Sequence, residues 1–280
     1  MNTHEVEVID LGHGVHAHIE NETEIDEIAN PRHMNDGLAV EMYCWHRRYS
    51  LGDDHNYEHP GEWLAELIED LTPDQVLPLM RLAVAGKVVV GNKSFRQKWD
   101  YRDYMRGMDL NKSQRRAEWV EFLQDNLRET NSRSMHEQTM SVLREAKGYE
   151  FRPLYLFDHS GITISTTSQF FRGMDLHGWD WGQVGWLVCR PERLEDLGVP
   201  DQYRSGEGLD SLIRNEVDEY DKYLRGDVFF VWTETPEEHG FTESCSNILG
   251  LDEAREVAQE LGGPLAENYG DPTRTLGAGI

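Results

Sequence analysis

The chain has 280 residues, and 52 Asp and Glu stand against 27 Lys and Arg, a formal net charge of −25. That excess argues against a general nucleic-acid binder, which needs a basic surface to meet phosphates. Eight Trp, eleven Tyr and nine Phe argue against intrinsic disorder. No apolar run approaches the ~20 residues of a membrane-spanning helix, and the first five residues lack a basic and apolar leader. A cytoplasmic protein with no membrane partner is the expectation. Three widely spaced cysteines, Cys44, Cys189 and Cys245, do not form a disulfide framework.

Residues 5–10 and 15–20 alternate as half-buried strands do, with Gly12 and Gly14 between them as turn residues. Residues 38–45 read as a third strand. A helix follows Pro60, with Trp63, Leu64, Leu67, Ile68 and Leu71 on one face. Thr72-Pro73-Asp74-Gln75 is a capping box with Pro at the first helical position. Pro78 predicts a kink or restart one turn later, and Gly86 an end. Two amphipathic helices come next, one carrying Trp119, Val120, Leu123 and Leu127, the other Met135, Thr139, Val142, Leu143 and Ala146 before Gly148. Residues 151–157, 162–166 and 183–190 read as strands. Leu209, Leu212, Ile213, Val217, Tyr220 and Leu224 form a helix face closed by Arg225-Gly226. Two further strands, 228–233 and 243–249, precede a last helix, 252–261, ending at Gly262-Gly263. The fold class is therefore α+β: a mixed or mostly antiparallel sheet with flanking helices, interrupted by a helical insertion.

Charge marks the boundary of that insertion. Residues 74–147 hold 14 basic and 10 acidic residues, a net of +4, against 13 basic and 42 acidic elsewhere, a net of −29. The predicted organisation is an acidic α+β body, 1–71 and 149–263, a mildly basic helical insertion, 72–148, and a loose tail, 264–280. Nucleic acid is disfavoured firmly for the body and only loosely for the insertion.

Several places concentrate chemistry. In Gly12-His13-Gly14-Val15-His16-Ala17-His18, His16 and His18 share one strand face about 7 Å apart, near enough for one zinc. An exposed polar strand face is the plainer reading. Cys44-Trp45-His46-Arg47-Arg48-Tyr49 gathers donors where a strand meets a loop. There His46 can serve as base or ligand, and Arg47 and Arg48 as a clamp for an anion. The structural reading pairs the arginines with Asp53 and Asp54 and buries Cys44. Asp158-His159-Ser160-Gly161 follows an apolar strand, a common place for catalytic groups. Sequence neighbours do not make a Ser-His-Asp triad, whose members meet from separate segments. The loop 165–182 carries Phe170, Phe171, His177, Trp179, Asp180 and Trp181. Aromatic residues in a loop of that length offer stacking faces to a ligand or partner, or pack as a local lid. Walker A, Rossmann glycine, His-Glu-x-x-His, Cys-x-x-Cys and Gly-x-Ser-x-Gly motifs are all missing. No cofactor is required, and a divalent metal stays open.

Three blocks carry a resemblance. They are residues 44–53; residues 153–164 leading to Trp179-Asp180-Trp181-Gly182-Gln183-Val184-Gly185; and residues 216–228, with Tyr220-Asp221-Lys222-Tyr223-Leu224-Arg225-Gly226-Asp227-Val228. In order and wording they resemble an uncharacterised family of small proteins of bacteriophages, prophages and conjugative elements. The resemblance covers about 150 residues and implies an accessory gene of mobile DNA, with no reaction attached. This chain departs from the pattern in the stretch 72–148 and in Trp181, where a small Ser is usual. Only six of the basic residues are Lys, a bias that fits a GC-rich or a salt-loving source; a phage of a GC-rich actinobacterial host would account for it.

Two functions from different classes follow. The first is a host-interaction or counter-defence factor that acts by binding a host or phage protein, or a small anionic ligand. Its binding residues would be Arg47, Arg48, Trp179, Asp180 and Gln183. The alternative is a small metal-assisted hydrolase acting on an anionic, nucleotide-like substrate, with His46, Asp158 and His159 in its site.

Overall fold

The computed structural model of the chain describes residues 4–25, 27–33, 37–79, 120–121, 123–125, 127–128, 133–175, 177–236 and 243–270. It is an α+β fold in which helices flank two antiparallel sheets. The expected helix end at Gly86 and the residue Trp119 lie outside the described residues.

The first sheet has the order β1-β2-β7-β8 (Glu5–Gly12, Val15–Asn21, Val228–Glu234, Ser244–Leu249). β1 and β2 join through His13 and Gly14, whose φ angles of 54° and 78° make the tight hairpin turn whose twist matches the strands. Alternation then sorts β2. Val15, Ala17 and Ile19 are fully buried, while His16, His18 and Glu20 take the other face.

Helix α6, named here ahead of the rest, covers the buried face of this sheet over Leu251–Gly270. Its buried residues are Ala254, Ala258, Gly262 and Ala266, one stripe at a spacing of four. The expected stop at Gly262-Gly263 is corrected accordingly, as is the loose tail over residues 264–270; residues 271–280 lie outside the described residues. Two Gly and one Pro cost a helix about 5 kcal/mol in propensity. Packing of the stripe outweighs that cost, because tertiary burial supplies most helix stability. Gly262 therefore acts through its smallness, against Leu11, and not as a terminator.

The second sheet has the order β3-β6-β4-β5 (Val40–Cys44, Trp181–Cys189, Glu150–Asp158, Ile162–Ser165). The helices in chain order are α1 (Pro60–Leu67), α2 (Arg133–Lys147), α3 (Gln169–Arg172), α4 (Pro191–Asp196), α5 (Gly206–Arg225) and α6. α1 starts where Pro60 predicts, and the His59 ring caps it by accepting from the Gly61 N–H at 3.1 Å. Half of the capping box is in place: the Gln75 side chain accepts from the Thr72 N–H at 2.8 Å and from the Thr72 hydroxyl at 3.0 Å, and residues 73–76 form a turn. Helical geometry begins again at residues 77–79, the restart that Pro78 predicts. Among the described residues no helix is long and apolar enough to cross a membrane.

Contacts divide the chain into two units. One comprises Met1–Asp36, Leu156–Trp181 and Arg214–Ile280, and the other Gly37–Tyr155 and Gly182–Ile213. The first contains the β1-β2-β7-β8 sheet with α6, whose core includes Ala17, Ile19, Val231 and Ala258. In the second, one core joins Trp63, Leu64, Phe151 and Trp186 to Val76, Leu79, Leu123, Leu127 and Leu143. The described part of the stretch 72–148 thus shares a core with α1 and the strands.

Candidate functional site

The block 44–53 turns out to staple a strand. After β3 the chain returns, and Gly52 bridges to Tyr43. Next to it the Asp53 N–H donates to the Met42 carbonyl at 2.8 Å, and the Asp53 carboxylate accepts from the Met42 N–H at 2.9 Å. Asp53 therefore gives β3 the pairing that a neighbouring strand would give. Cys44 is buried, as the structural reading had it. His46 stacks on Tyr49 with ring centroids 5.0 Å apart, and the Arg48 guanidinium lies 5.6 Å over the same ring. Arg47 and Arg48 are exposed.

The block 216–228 works in a similar way. Asp221 accepts from the Ile164 N–H at 2.7 Å and from the Thr163 hydroxyl at 2.6 Å, so an α5 carboxylate satisfies β5. Asp53 and Asp221 are thus both main-chain staples, a use of carboxylates that sequence reading overlooked.

His16 and His18 do lie on one face of β2, turned from the core. The His18 ring stacks on Trp232 at 3.9 Å and 4°. Its Nδ1 is 2.9 Å from Glu5 and its Nε2 3.5 Å from Glu234. Among the described residues no group of three or more His, Cys, Asp or Glu side chains is placed to hold a metal ion.

The block 153–164 and the aromatic loop do come together. The Asp158 N–H donates to the Asp180 carbonyl at 2.7 Å, and His159 Nδ1 lies 2.9 Å from Asp180 Oδ2. An imidazole held at Nδ1 by a carboxylate presents its Nε2 in a fixed direction. The His159 side chain is 66% exposed. Its neighbour Ser160 has a φ of 60°, so the tight turn at the end of β4 uses a left-handed residue other than glycine.

The loop itself is built around Asp175. Its carboxylate accepts from the N–H groups of His177, Trp179 and Asp180. The Asp180 N–H, with those of His177 and Trp179, holds the Asp175 carboxyl below the usual carboxylate range, against the opposing effect of desolvation. The Trp181 indole N–H donates to the Asp175 carbonyl at 3.3 Å. One short helix, α3, divides the expected loop, and its Phe171 is fully buried and stacked on Phe157. This frame leaves Trp179 87% exposed, with Phe170 at 61% and Met174 at 57%. An ordered loop that keeps an indole in water leaves apolar surface available, worth about 25 cal/mol per Å² once covered.

In the other unit a cavity of about 300 Å³ is lined by Trp45, Pro60, Arg133, His136, Gln183 and Trp186, among others. Gln183 was expected to bind a ligand, and it lines this cavity. His46, Asp158, His159 and Trp179 are not lining residues. The blocks named from the sequence therefore divide between two places. Arg133 and His136 were missed, although their spacing of three on a helix puts them on one face. No protein-family model, curated protein or solved structure matches this chain.

Proposed function

We propose that this protein acts by binding another protein through the face made by Trp179, Phe170 and Met174. On this reading it is a host-interaction or counter-defence factor, of the mobile-element kind that its three blocks resemble. The observation that carries the proposal is Trp179, 87% exposed on a loop whose His177, Trp179 and Asp180 amides are turned onto Asp175. Aromatic side chains are favoured anchors at interfaces, and a rigid one loses little entropy on docking. With a net charge of −25, the fitting partner is a protein with an apolar recess and a basic rim.

The test is parallel capture of partners from a bacterial host extract with wild type, Trp179→Ala, Phe170→Ser and Asp175→Asn. A partner retained by wild type is expected to be lost at least about tenfold by Trp179→Ala, as for an aromatic anchor. Because the Asp175 carboxyl is depressed, its hold on the loop is complete above the ordinary carboxylate range. It is lost as the pH falls below that range, and retention should fall with it. Equal retention by wild type and all three variants would sink the proposal.

One observation favours the hydrolase as a second reading: the 2.9 Å pair of His159 and Asp180. This reading rests on His159 and Asp180, while His46 stacks on Tyr49. On this reading, manganese-dependent cleavage of bis(p-nitrophenyl) phosphate falls at least about a hundredfold in His159→Ala, the usual size of general acid–base assistance. Turnover unaffected by His159→Ala would discard it.

A further inference from the structure

The cavity at Trp45 has the composition of a small-molecule site, and nothing in the loop argument uses it. Its volume, about 300 Å³, stands at the lower end of the range in which proteins enclose small ligands. Two indoles line it. Trp45 is half-buried and fixed by its N–H, which donates to the Tyr57 carbonyl at 3.0 Å. Trp186 is 9% exposed and belongs to the unit's core. Neither ring can move far, so their positions are set before a ligand arrives.

The polar groups are equally specific. Arg133 and His136 sit one turn apart on α2, and His136 is only 3% exposed. The Arg133 Nε donates to Glu137 at 2.8 Å, which orients the guanidinium without burying it. Gln183 spends its amide nitrogen on the Gly185 carbonyl at 3.2 Å. In a chain with 52 carboxylates, no acidic side chain lines this cavity among the described residues. Among the described residues the lining thus includes two aromatic rings, a guanidinium, an imidazole and an amide, beside Pro60, Val184 and Gly185.

We infer that this cavity binds a small planar aromatic ring carrying one anionic group, with the ring against Trp45 and Trp186 and the anion toward Arg133. Indoles offer flat faces to such a ring, and a guanidinium presents a planar fork that suits carboxylate and phosphate alike. Both an aromatic carboxylate and a nucleoside monophosphate have this chemistry. Trp179 is not among the described lining residues, so either assignment can fail without the other.

The experiment is NMR titration of the full chain labelled at the Trp indole nitrogens, with the signals of Trp45, Trp186 and Trp179 assigned from single Trp→Phe variants. The probes are indole-3-acetate, adenosine monophosphate, adenosine and inorganic phosphate. At least one of the two aromatic anions is expected to shift the Trp45 and Trp186 signals and leave that of Trp179 in place. Adenosine and phosphate alone are expected to bind at least about tenfold more weakly, which is about 1.4 kcal/mol. Which anion binds tighter decides between carboxylate and phosphate as the natural head group. Arg133→Gln, at an exposed side chain, is expected to weaken the anion about tenfold while thermal stability holds. Gln183→Ala serves as a second lining variant and should also weaken it. The inference is overturned if neither aromatic anion binds in the millimolar range, if Arg133→Gln leaves affinity unchanged, or if the shifts fall on Trp179 instead.

Discussion

Trp63→Ala is expected to lower the free energy of unfolding by about 3–5 kcal/mol, the range for removing a large aromatic side chain from a core. Trp63 is 1% exposed and meets Tyr43 at 4.8 Å, Trp45 at 6.0 Å and Phe151 at 6.0 Å between ring centroids. The neighbouring rings are themselves held, Trp45 through Tyr57 and Tyr43 through its hydroxyl, which donates to Glu41 at 2.9 Å. They are therefore poorly able to collapse into the space, and a cavity that stays open is the costly kind. Burial and the Glu41 carboxylate both push the Tyr43 phenol well above its ordinary range, as expected of a hydroxyl kept as a donor inside this cluster. The companion variant separates volume from polarity. The Trp63 indole N–H is buried with no hydrogen-bond partner among the described residues. Trp63→Phe removes that unsatisfied donor while keeping an aromatic ring, and its cost should be about 1–2 kcal/mol smaller than that of Trp63→Ala. Urea unfolding followed by far-ultraviolet circular dichroism measures both. A loss under about 1 kcal/mol for Trp63→Ala would show that this cluster does not hold the unit together.

Gly52→Ala is the second substitution with a large expected effect, and it probes the block 44–53 directly. Gly52 has a φ of +79°, and a Cβ placed there would come 2.4 Å from the Met42 carbonyl oxygen. The left-handed backbone costs an alanine about 1–2 kcal/mol. Crowding against main chain adds about 1–3 kcal/mol, because a carbonyl in a paired strand cannot swing aside as a flexible side chain can. The staple next door shares the damage, since Asp53 bonds the main chain of the same Met42. A loss of about 2–5 kcal/mol in the same unfolding experiment is expected. A loss below about 0.5 kcal/mol would mean that the return of this loop onto β3 is not part of the stable fold. The block would then have to be read through His46, Arg47 and Arg48 instead.

These two residues illustrate what could and could not be seen in advance. Trp63 is legible as a core residue because Leu64, Leu67 and Ile68 share its helical stripe, and a stripe has one place to go. For Gly52 and Asp53 the sequence offers only their place in the block 44–53 and a pairing of Asp53 with the arginines. Their partners are the two main-chain groups of Met42, and no side-chain pattern advertises a free strand edge. The same holds for Asp221, whose acceptors reach β5, far away along the chain. Asp175 was passed over in favour of the aromatic residues around it, although it is the residue that arranges them.

By itself the sequence determined the local elements and their faces. Alternation in 15–20 put Val15, Ala17 and Ile19 inward, Pro60 started α1, and Gln75 reached back to the Thr72 N–H. Such features depend on neighbours within a few residues, where backbone sterics and helical periodicity act. It also determined the acidic character, a formal net charge of −25. Tertiary structure alone decided which strands pair, with β2 joined to β7 across most of the chain length. It carried α6 through Gly262, Gly263 and Pro264, because burial of a stripe outweighs propensity. It also decided that Val76, Leu79, Leu123, Leu127 and Leu143, the described part of a stretch set apart by its charge, share one core with α1, since surface charge and apolar burial are independent properties of a segment. The candidate sites belong to this second class. Asp180 meets His159, and Arg133 faces the cavity at Trp45, through side chains brought together from distant segments by packing.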